Sequence, residues 1–211
     1  IARMQLHYAA ALETCLAQTI GHIIPTSELI DTIAQKSLPV LEIAAGTGLI
    51  GKFLAPRVPQ YIATDRGVSK YQNPVFVTVE ELDGIAAYKK YRPQFDGPMV
   101  VLMSYPPTHL KDLGDKLFVE EGAKNSPSNL PENYGMPAQI VRMMRVGDVI
   151  AYVGKNVPYG DRPDIITGSD DFHGVLAKDF TLKSTTTLYA WPHGPDPDLM
   201  MYAKHGAPAP G

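Results

Sequence analysis

The sequence has almost no cysteine, no excess of positive charge and no long apolar run, and each absence excludes a class of protein. Its 211 residues contain one cysteine, Cys15, which excludes a disulfide framework and a cysteine-rich zinc site. The formal charge of -3 argues against a broad nucleic-acid surface, which needs a clustered basic face. No apolar stretch reaches the roughly 18 residues of a membrane helix. We therefore expect a cytoplasmic protein with one main domain.

Apolar runs alternate with helical patterns along most of the chain, which is typical of a doubly wound α/β fold. The predicted strands span 40–44, 60–64, 75–79, 99–104, 149–153, 182–191 and 199–205. The short connection between the last two strands contains no helix, so these two strands must be antiparallel. The sequence therefore predicts a Rossmann-like, seven-stranded, mostly parallel sheet with a C-terminal antiparallel hairpin and helices on both faces.

A glycine turn after the first predicted strand is the most specific signal in the chain. Gly46, Gly48 and Gly51 follow an apolar strand and open a helix in the pattern G-x-G-x-x-G. Glycine lets the backbone approach a ligand closely, because a Cβ atom there would collide with it. Asp65 ends the next strand, where its carboxylate can accept hydrogen bonds from two ribose hydroxyls. The pattern predicts a nucleotide pocket.

The stretch from Glu42 to Gly48 resembles the first motif of the class I S-adenosylmethionine-dependent methyltransferases, E/D-x-G-x-G-x-G. The acid inside the first strand, the two predicted helices before the sheet and the terminal hairpin also resemble this family. Ala44 stands where the family usually has its first glycine. The resemblance implies S-adenosyl-L-methionine as the cofactor and methyl transfer to a small-molecule or exposed macromolecular acceptor.

The resemblance also implies a role for individual residues of the pocket. Asp65 would hold the ribose hydroxyls, and Glu42 would support the glycine turn. Glu80 or Glu81 would lie near the adenine. The implied cofactor-binding residues are Glu42, Ala44, Gly46, Thr47, Gly48, Asp65, Arg66, Glu80 and Ser104. Two alternatives stay open, because Glu42 could cap neighbouring backbone amides and the glutamates at 80 and 81 could belong to a solvated helix start.

The fourth predicted strand ends in an aromatic-Pro-Pro turn, Tyr105-Pro106-Pro107. It resembles the fourth motif of amino-group methyltransferases, D/N/S-P-P-Y/F/W, and a methyltransferase-like group that carries the aromatic residue first. We hypothesise that Ser104 and Tyr105 line the acceptor side, with the prolines fixing the turn. His109 is a candidate base because an unperturbed imidazole titrates near neutral pH. Alternatively, Tyr105 caps the core and His109 is a solvated loop residue.

The predicted domain organisation has three parts. Residues 1–37 form N-terminal helices, 38–205 form the methyltransferase-like catalytic domain, and 206–211 form a coil tail. Within the catalytic domain, residues 108–137 are polar and rich in turn formers, which predicts a loop or lid.

No metal site is predicted, and two other functions stay open. His173 and His193 lie on separate segments without a ligand spacing, so a helix cap and a turn explain them and the aspartates near them. A methyltransferase fold without activity could serve as a binding or assembly subunit. The same glycine pattern could serve an NAD(P)-dependent oxidoreductase. The sequence leaves the oligomeric state open.

Overall fold

The structure is a computed structural model, and it describes residues 23–70, 75–106, 135–155, 167–189 and 196–206. The helices in these ranges are α1 (Ser27–Ala34), α2 (Leu49–Leu54), α3 (Gly84–Tyr91), α4 (Met136–Met143) and α5 (Asp170–Asp179). The strands are β1 (Val40–Ile43), β2 (Tyr61–Asp65), β3 (Val79–Glu81), β4 (Val100–Ser104), β5 (Val149–Gly154), β6 (Phe180–Thr187) and β7 (Asp198–Lys204).

All seven strands belong to one sheet, in the order β3-β2-β1-β4-β5-β7-β6. The first five strands in this order are parallel, whereas β7 is antiparallel to both β5 and β6. The predicted fold class, including the antiparallel hairpin, is confirmed. The strand order reverses between β1 and β4, and in doubly wound sheets ligands bind at the carboxyl ends of the strands at such a point.

Helices cover both faces of the sheet, because successive side chains of a strand point to opposite faces. On one face, α1 and α2 pack against residues such as Val40 and Leu102. On the other face, α3, α4 and α5 pack against residues such as Leu41 and Val101. Burial on both sides explains the continuous apolar runs of β4 and β5.

Side-chain caps set the starts of three helices. The Thr26 hydroxyl accepts from the amide of Leu29 at 3.3 Å and starts α1. The Ser169 hydroxyl accepts from the amide of Phe172 at 3.1 Å and starts α5. Threonine and serine are both preferred residues at this position. Asp83 caps α3 in the same way, by accepting from two amides of its first turn.

The predicted position of the third strand is wrong. The ladder with β2 covers residues 79–81 instead of 75–79. The amide of Phe76 donates to the carbonyl of Thr47 at 2.8 Å, so this part of the apolar run packs on the glycine turn and not in the sheet. The composition of this apolar run does not show at which residue pairing with β2 begins.

Other boundaries differ by smaller amounts, and some predictions are outside the described ranges. β6 ends at Thr187 and not at residue 191. Most of the segment 1–37 expected to form N-terminal helices, and most of the loop expected at 108–137, lie outside the described residues. None of the helices that the structure describes is long and apolar enough to span a membrane.

A buried ion pair holds the amino-terminal edge of the sheet. The guanidinium of Arg92 donates to the carboxylate of Asp148 at 2.9 Å, and these side chains are 5% and 0% exposed. Asp148 also accepts from the amides of Met99 at 3.2 Å and Arg145 at 2.8 Å. Arg92 donates a further bond to the carbonyl of Phe95 at 2.6 Å. These partners compensate both buried charges, which an isolated pair would not achieve.

Candidate active site

The glycine turn lies at the carboxyl end of β1, where the strand order reverses. Ala44, Gly46 and Gly48 have φ values of 59°, 57° and 74°, so left-handed residues occupy alternate positions. The amide of Gly48 donates to the carbonyl of Ala45 at 2.9 Å, which closes the turn just before α2. Glycine adopts this backbone conformation without cost, whereas Ala44 adopts it with strain.

Gly48 is required by the packing of the protein itself. A Cβ atom at this position would lie 2.6 Å from Cγ2 of Val77 and 3.0 Å from Cγ2 of Val79. Val77 follows Phe76, whose amide is bonded to Thr47 of the turn, and Val79 is the first residue of β3. At Gly48, therefore, it is two valine side chains of the protein that approach the backbone closely, where the sequence analysis expected a ligand.

Asp65 reaches the glycine turn, as the sequence predicts. One carboxylate oxygen accepts from the amide of Gly46 at 3.0 Å, and the other accepts from the amide of Gly67 at 2.8 Å. The residue is 8% exposed. Asp65 thus joins the turn after β1 to the turn after β2.

Glu42 is buried within β1, before the turn begins. Its side chain accepts from the hydroxyl of Tyr61, and its backbone carbonyl accepts from the hydroxyl of Thr64 at 3.3 Å. Burial, together with the negative charge of Asp65, raises the pKa of Glu42 to about 8. At neutral pH Glu42 is therefore mostly protonated.

Tyr61 is a residue of the site that the sequence analysis missed. Its ring lies against α2, where a Cβ atom on Gly51 would be 2.5 Å from the ring. The third glycine of the fingerprint therefore makes room for this ring. Val40 is in register with Tyr61, which places Tyr61 and Glu42 on the same face of neighbouring strands. Aligning the predicted strands β1 and β2 in this register would have predicted the contact between Tyr61 and Glu42.

The two glutamates of β3 point to opposite faces of the sheet. Glu80 accepts from Lys90 at 2.5 Å and from the hydroxyl of Tyr91, both at the end of α3. Glu81 is in register with Asp65 and shares its face of the sheet. The structure therefore places Glu81, and not Glu80, on the same face of the sheet as Asp65.

Ser104 lies at the end of β4, next to the head of the glycine turn. Ile43 is in register with Met103, so Ser104 and Ala44 follow at neighbouring strand ends. The hydroxyl of Ser104 is buried and has no hydrogen-bond partner among the described residues. Leaving a buried hydroxyl unpaired costs about 1–3 kcal/mol. A hydroxyl in this position is available as a partner for a ligand or an ordered water.

The turn after β4 is fixed to two neighbouring segments. The amide of Tyr105 donates to the carbonyl of Val153 at 2.8 Å, and the carbonyl of Pro106 accepts from the amide of Gly168 at 2.8 Å. Tyr105 has a φ of 47°, which is rare for a residue with a side chain. It is half-buried and packs against the apolar cluster on the α1 and α2 face, as expected for a core cap.

The other predicted residues are placed as follows. Thr47 is buried in the turn, and Arg66 is exposed directly after β2. His109 and His193 lie outside the described residues. The Nε2 atom of His173 lies 2.7 Å from the carbonyl of Thr167, near the start of α5. Among the residues that the structure describes, no three His, Cys, Asp or Glu side chains are grouped as metal ligands.

Comparison with known proteins gives structural likenesses only. No family model and no curated relative matches the chain. The N-methyltransferase NodS from Bradyrhizobium japonicum is 11% identical, with 87% of this chain and 100% of that one covered and a TM-score of 0.47. A SAM-dependent methyltransferase from Anabaena variabilis is 17% identical, with 94% and 95% covered and a TM-score of 0.48. An rRNA methylase from Streptococcus thermophilus is 15% identical, with 87% and 98% covered and a TM-score of 0.42. Likenesses this distant transfer no substrate and no residue role, so the fold class rests on the strand order itself.

Proposed function

We propose that the chain is an S-adenosyl-L-methionine-dependent methyltransferase that acts on a small-molecule or exposed macromolecular acceptor. The observation that carries this proposal is the 3.0 Å bond from the amide of Gly46 to the carboxylate of Asp65. It joins a glycine turn to an acid on the neighbouring strand, at the point where the strand order of the sheet reverses. A site of this form binds an adenosine moiety with the acid on the ribose.

The residues of the crevice fit this cofactor in two respects. The carboxylate of Asp65 lies at the glycine turn and is the type of acceptor that ribose hydroxyls need, and the buried hydroxyl of Ser104 lacks a partner within the described part of the chain. The cofactor, when bound, supplies an electrophilic methyl group on a sulfonium. Transfer of such a group depends mainly on how the acceptor is positioned, because a neutral or anionic nucleophile needs little acid or base help.

Positioning of the acceptor is assigned to the turn after β4. The bonds of Tyr105 to Val153 and of Pro106 to Gly168 hold this turn between β5 and α5. Ser104 and Tyr105 are proposed to line the acceptor side, and His109 stays the candidate base. A cytoplasmic location stays a prediction.

A second candidate is a binding or assembly protein that has kept the fold without the activity. The observation that favours it is Ala44, which stands in a left-handed conformation at the head of the turn. Its methyl group narrows the approach to the methionine part of the cofactor, which disfavours tight binding. Cofactor binding without methylation of any acceptor in a broad screen would support this candidate over the first.

Calorimetric titration of the whole chain with S-adenosylmethionine, its demethylated product and NADH tests the proposal. We expect the first two ligands to bind and NADH not to compete. Asp65→Asn should weaken binding by about tenfold to a hundredfold, because hydrogen bonds to a charged group contribute about 1.5–3 kcal/mol. Asp171→Asn is the matched control, since Asp171 pairs with Arg142 at an exposed site. Absence of binding by the wild type, or equal binding by both variants, would contradict the proposal.

A further inference from the structure

Two acids and a tyrosine lie on one face of β1 and β2, next to the glycine turn. The hydroxyl of Tyr61 donates to the carboxyl of Glu42, and Asp65 lies on the same strand and the same face as Tyr61. Glu42 is 2% exposed and Asp65 is 8% exposed, so both acids are shielded from water. The ring of Tyr61 is held by its contact with Gly51 of α2. The position of the hydroxyl relative to Glu42 is therefore fixed by packing.

The charged groups of the surrounding elements do not compensate Glu42. From β2 it faces Tyr61 and Asp65, and from β4 its partner in register is the apolar Leu102. Two cations of α2 and the turn after it have other partners: Arg57 pairs with Asp31 of α1, and Lys52 lies 5.3 Å from the ring centroid of Phe76. Glu81, on the far side of Asp65, adds only another negative group.

We propose that Tyr61 is a positioning residue which, through Glu42, sets how strongly the site distinguishes the positively charged sulfonium cofactor from its neutral thioether product. This inference rests on the proposed function. The cofactor and product differ by one methyl group and by one positive charge. A negative charge buried behind the turn favours the cofactor, whereas a neutral carboxyl does not discriminate by charge.

The role of Tyr61 follows from the donor it supplies. A hydrogen bond donated to a carboxylate stabilises its charged form, so the phenol hydroxyl opposes the burial and the repulsion that keep Glu42 neutral. Since Glu42 has a pKa of about 8, it gains its charge as the pH rises through that value. Removing the hydroxyl should keep Glu42 neutral to a higher pH. The preference for the cofactor over the product should then begin at a higher pH than in the wild type.

The test measures the dissociation constants of S-adenosylmethionine and S-adenosylhomocysteine from pH 6 to pH 9. In the wild type we expect the ratio of product to cofactor dissociation constant to rise with pH by about tenfold, the change that corresponds to lowering the pKa of Glu42 by about one on cofactor binding. In Tyr61→Phe the rise should move to higher pH. In Glu42→Gln it should disappear, and any change that remains reports the amino groups of the ligands themselves.

Tyr88→Phe is the matched control, because the hydroxyl of Tyr88 lies on the opposite face of the sheet, where it donates to the carbonyl of Met143 at 3.2 Å and to the carboxylate of Asp148 at 3.4 Å. It should reproduce the wild-type profile. A second readout needs no ligand: unfolding by urea should show Glu42→Gln gaining stability over the wild type between about pH 5 and pH 8. In this range the carboxyl is ionised in the unfolded chain but neutral in the folded one.

The outcomes separate the two proposals. A wild-type ratio that stays flat from pH 6 to pH 9 while both ligands bind would overturn the role of Tyr61 and Glu42 and leave the proposed function standing. A Tyr61→Phe profile identical to that of the wild type would overturn the role of Tyr61 in particular. Failure of the wild type to bind either ligand at any pH would overturn the proposed function instead.

Discussion

Replacing Ala44 by glycine should stabilise the protein, although glycine usually destabilises. Ala44 has a φ of 59°, and a left-handed residue with a Cβ atom costs about 1–2 kcal/mol. Its side chain is exposed, so almost no packing is lost. Against this gain, glycine increases the entropy of the unfolded chain by an amount equivalent to about 0.5–1 kcal/mol. The net expectation is a gain of about 0.5–1 kcal/mol in the free energy of unfolding.

Ala45 provides the matched control, because it is the next residue and has no positive φ. Ala45→Gly should lose about 0.5–1 kcal/mol, so the two variants should differ in sign. Equilibrium unfolding in urea measures both, with the midpoint compared at equal slope. A thermal midpoint raised by roughly 2–4 °C per kcal/mol would agree for a chain of this size. If Ala44→Gly is destabilised as much as Ala45→Gly, the left-handed conformation at residue 44 is wrong.

Two further predictions concern packing. Gly48→Ala should destabilise the fold by about 1–3 kcal/mol, because it adds strain at a φ of 74° and a 2.6 Å contact with Val77. Combining it with Val77→Ala should recover part of that loss in a double-mutant cycle, and strict additivity would refute the contact. Arg92→Met should cost about 3–5 kcal/mol by leaving Asp148 buried without its cation. Arg142→Met, at an exposed pair, should cost at most about 1 kcal/mol, and equal losses in urea unfolding would contradict the buried network.

The parts of the fold that depend on local pattern could be predicted from the sequence. Strong apolar runs identified β4 and β5, because this signal acts within a few residues. The glycine turn and Asp65 were also predicted, since spacing alone relates them. The apolar run at 75–79 gave the wrong position for the third strand. The amide of Phe76 bonds to a carbonyl of the glycine turn, about thirty residues away in the chain, instead of pairing with β2.

The parts of the site that depend on pairing between strands could not be predicted. Choosing Glu81 over Glu80 requires the register of β3, and a shift of one residue moves every side chain to the other face. The contact of Tyr61 with Glu42 likewise exists only once β1 and β2 are aligned. Whether the hydroxyl of Ser104 has a hydrogen-bond partner depends on residues that are distant in the chain, so no local motif could predict it.

The place of β7 between β5 and β6 has a consequence for synthesis on the ribosome. β6 precedes β7 in the chain, yet its partner in the sheet is β7, so it must wait unpaired while the nascent chain grows through Lys204. An unpaired strand is a template for aggregation with other chains. The waiting strand carries Thr181, Lys183, Ser184 and three further threonines up to Thr187. Its hydrophilic composition thus protects the polypeptide during the interval before the hairpin closes.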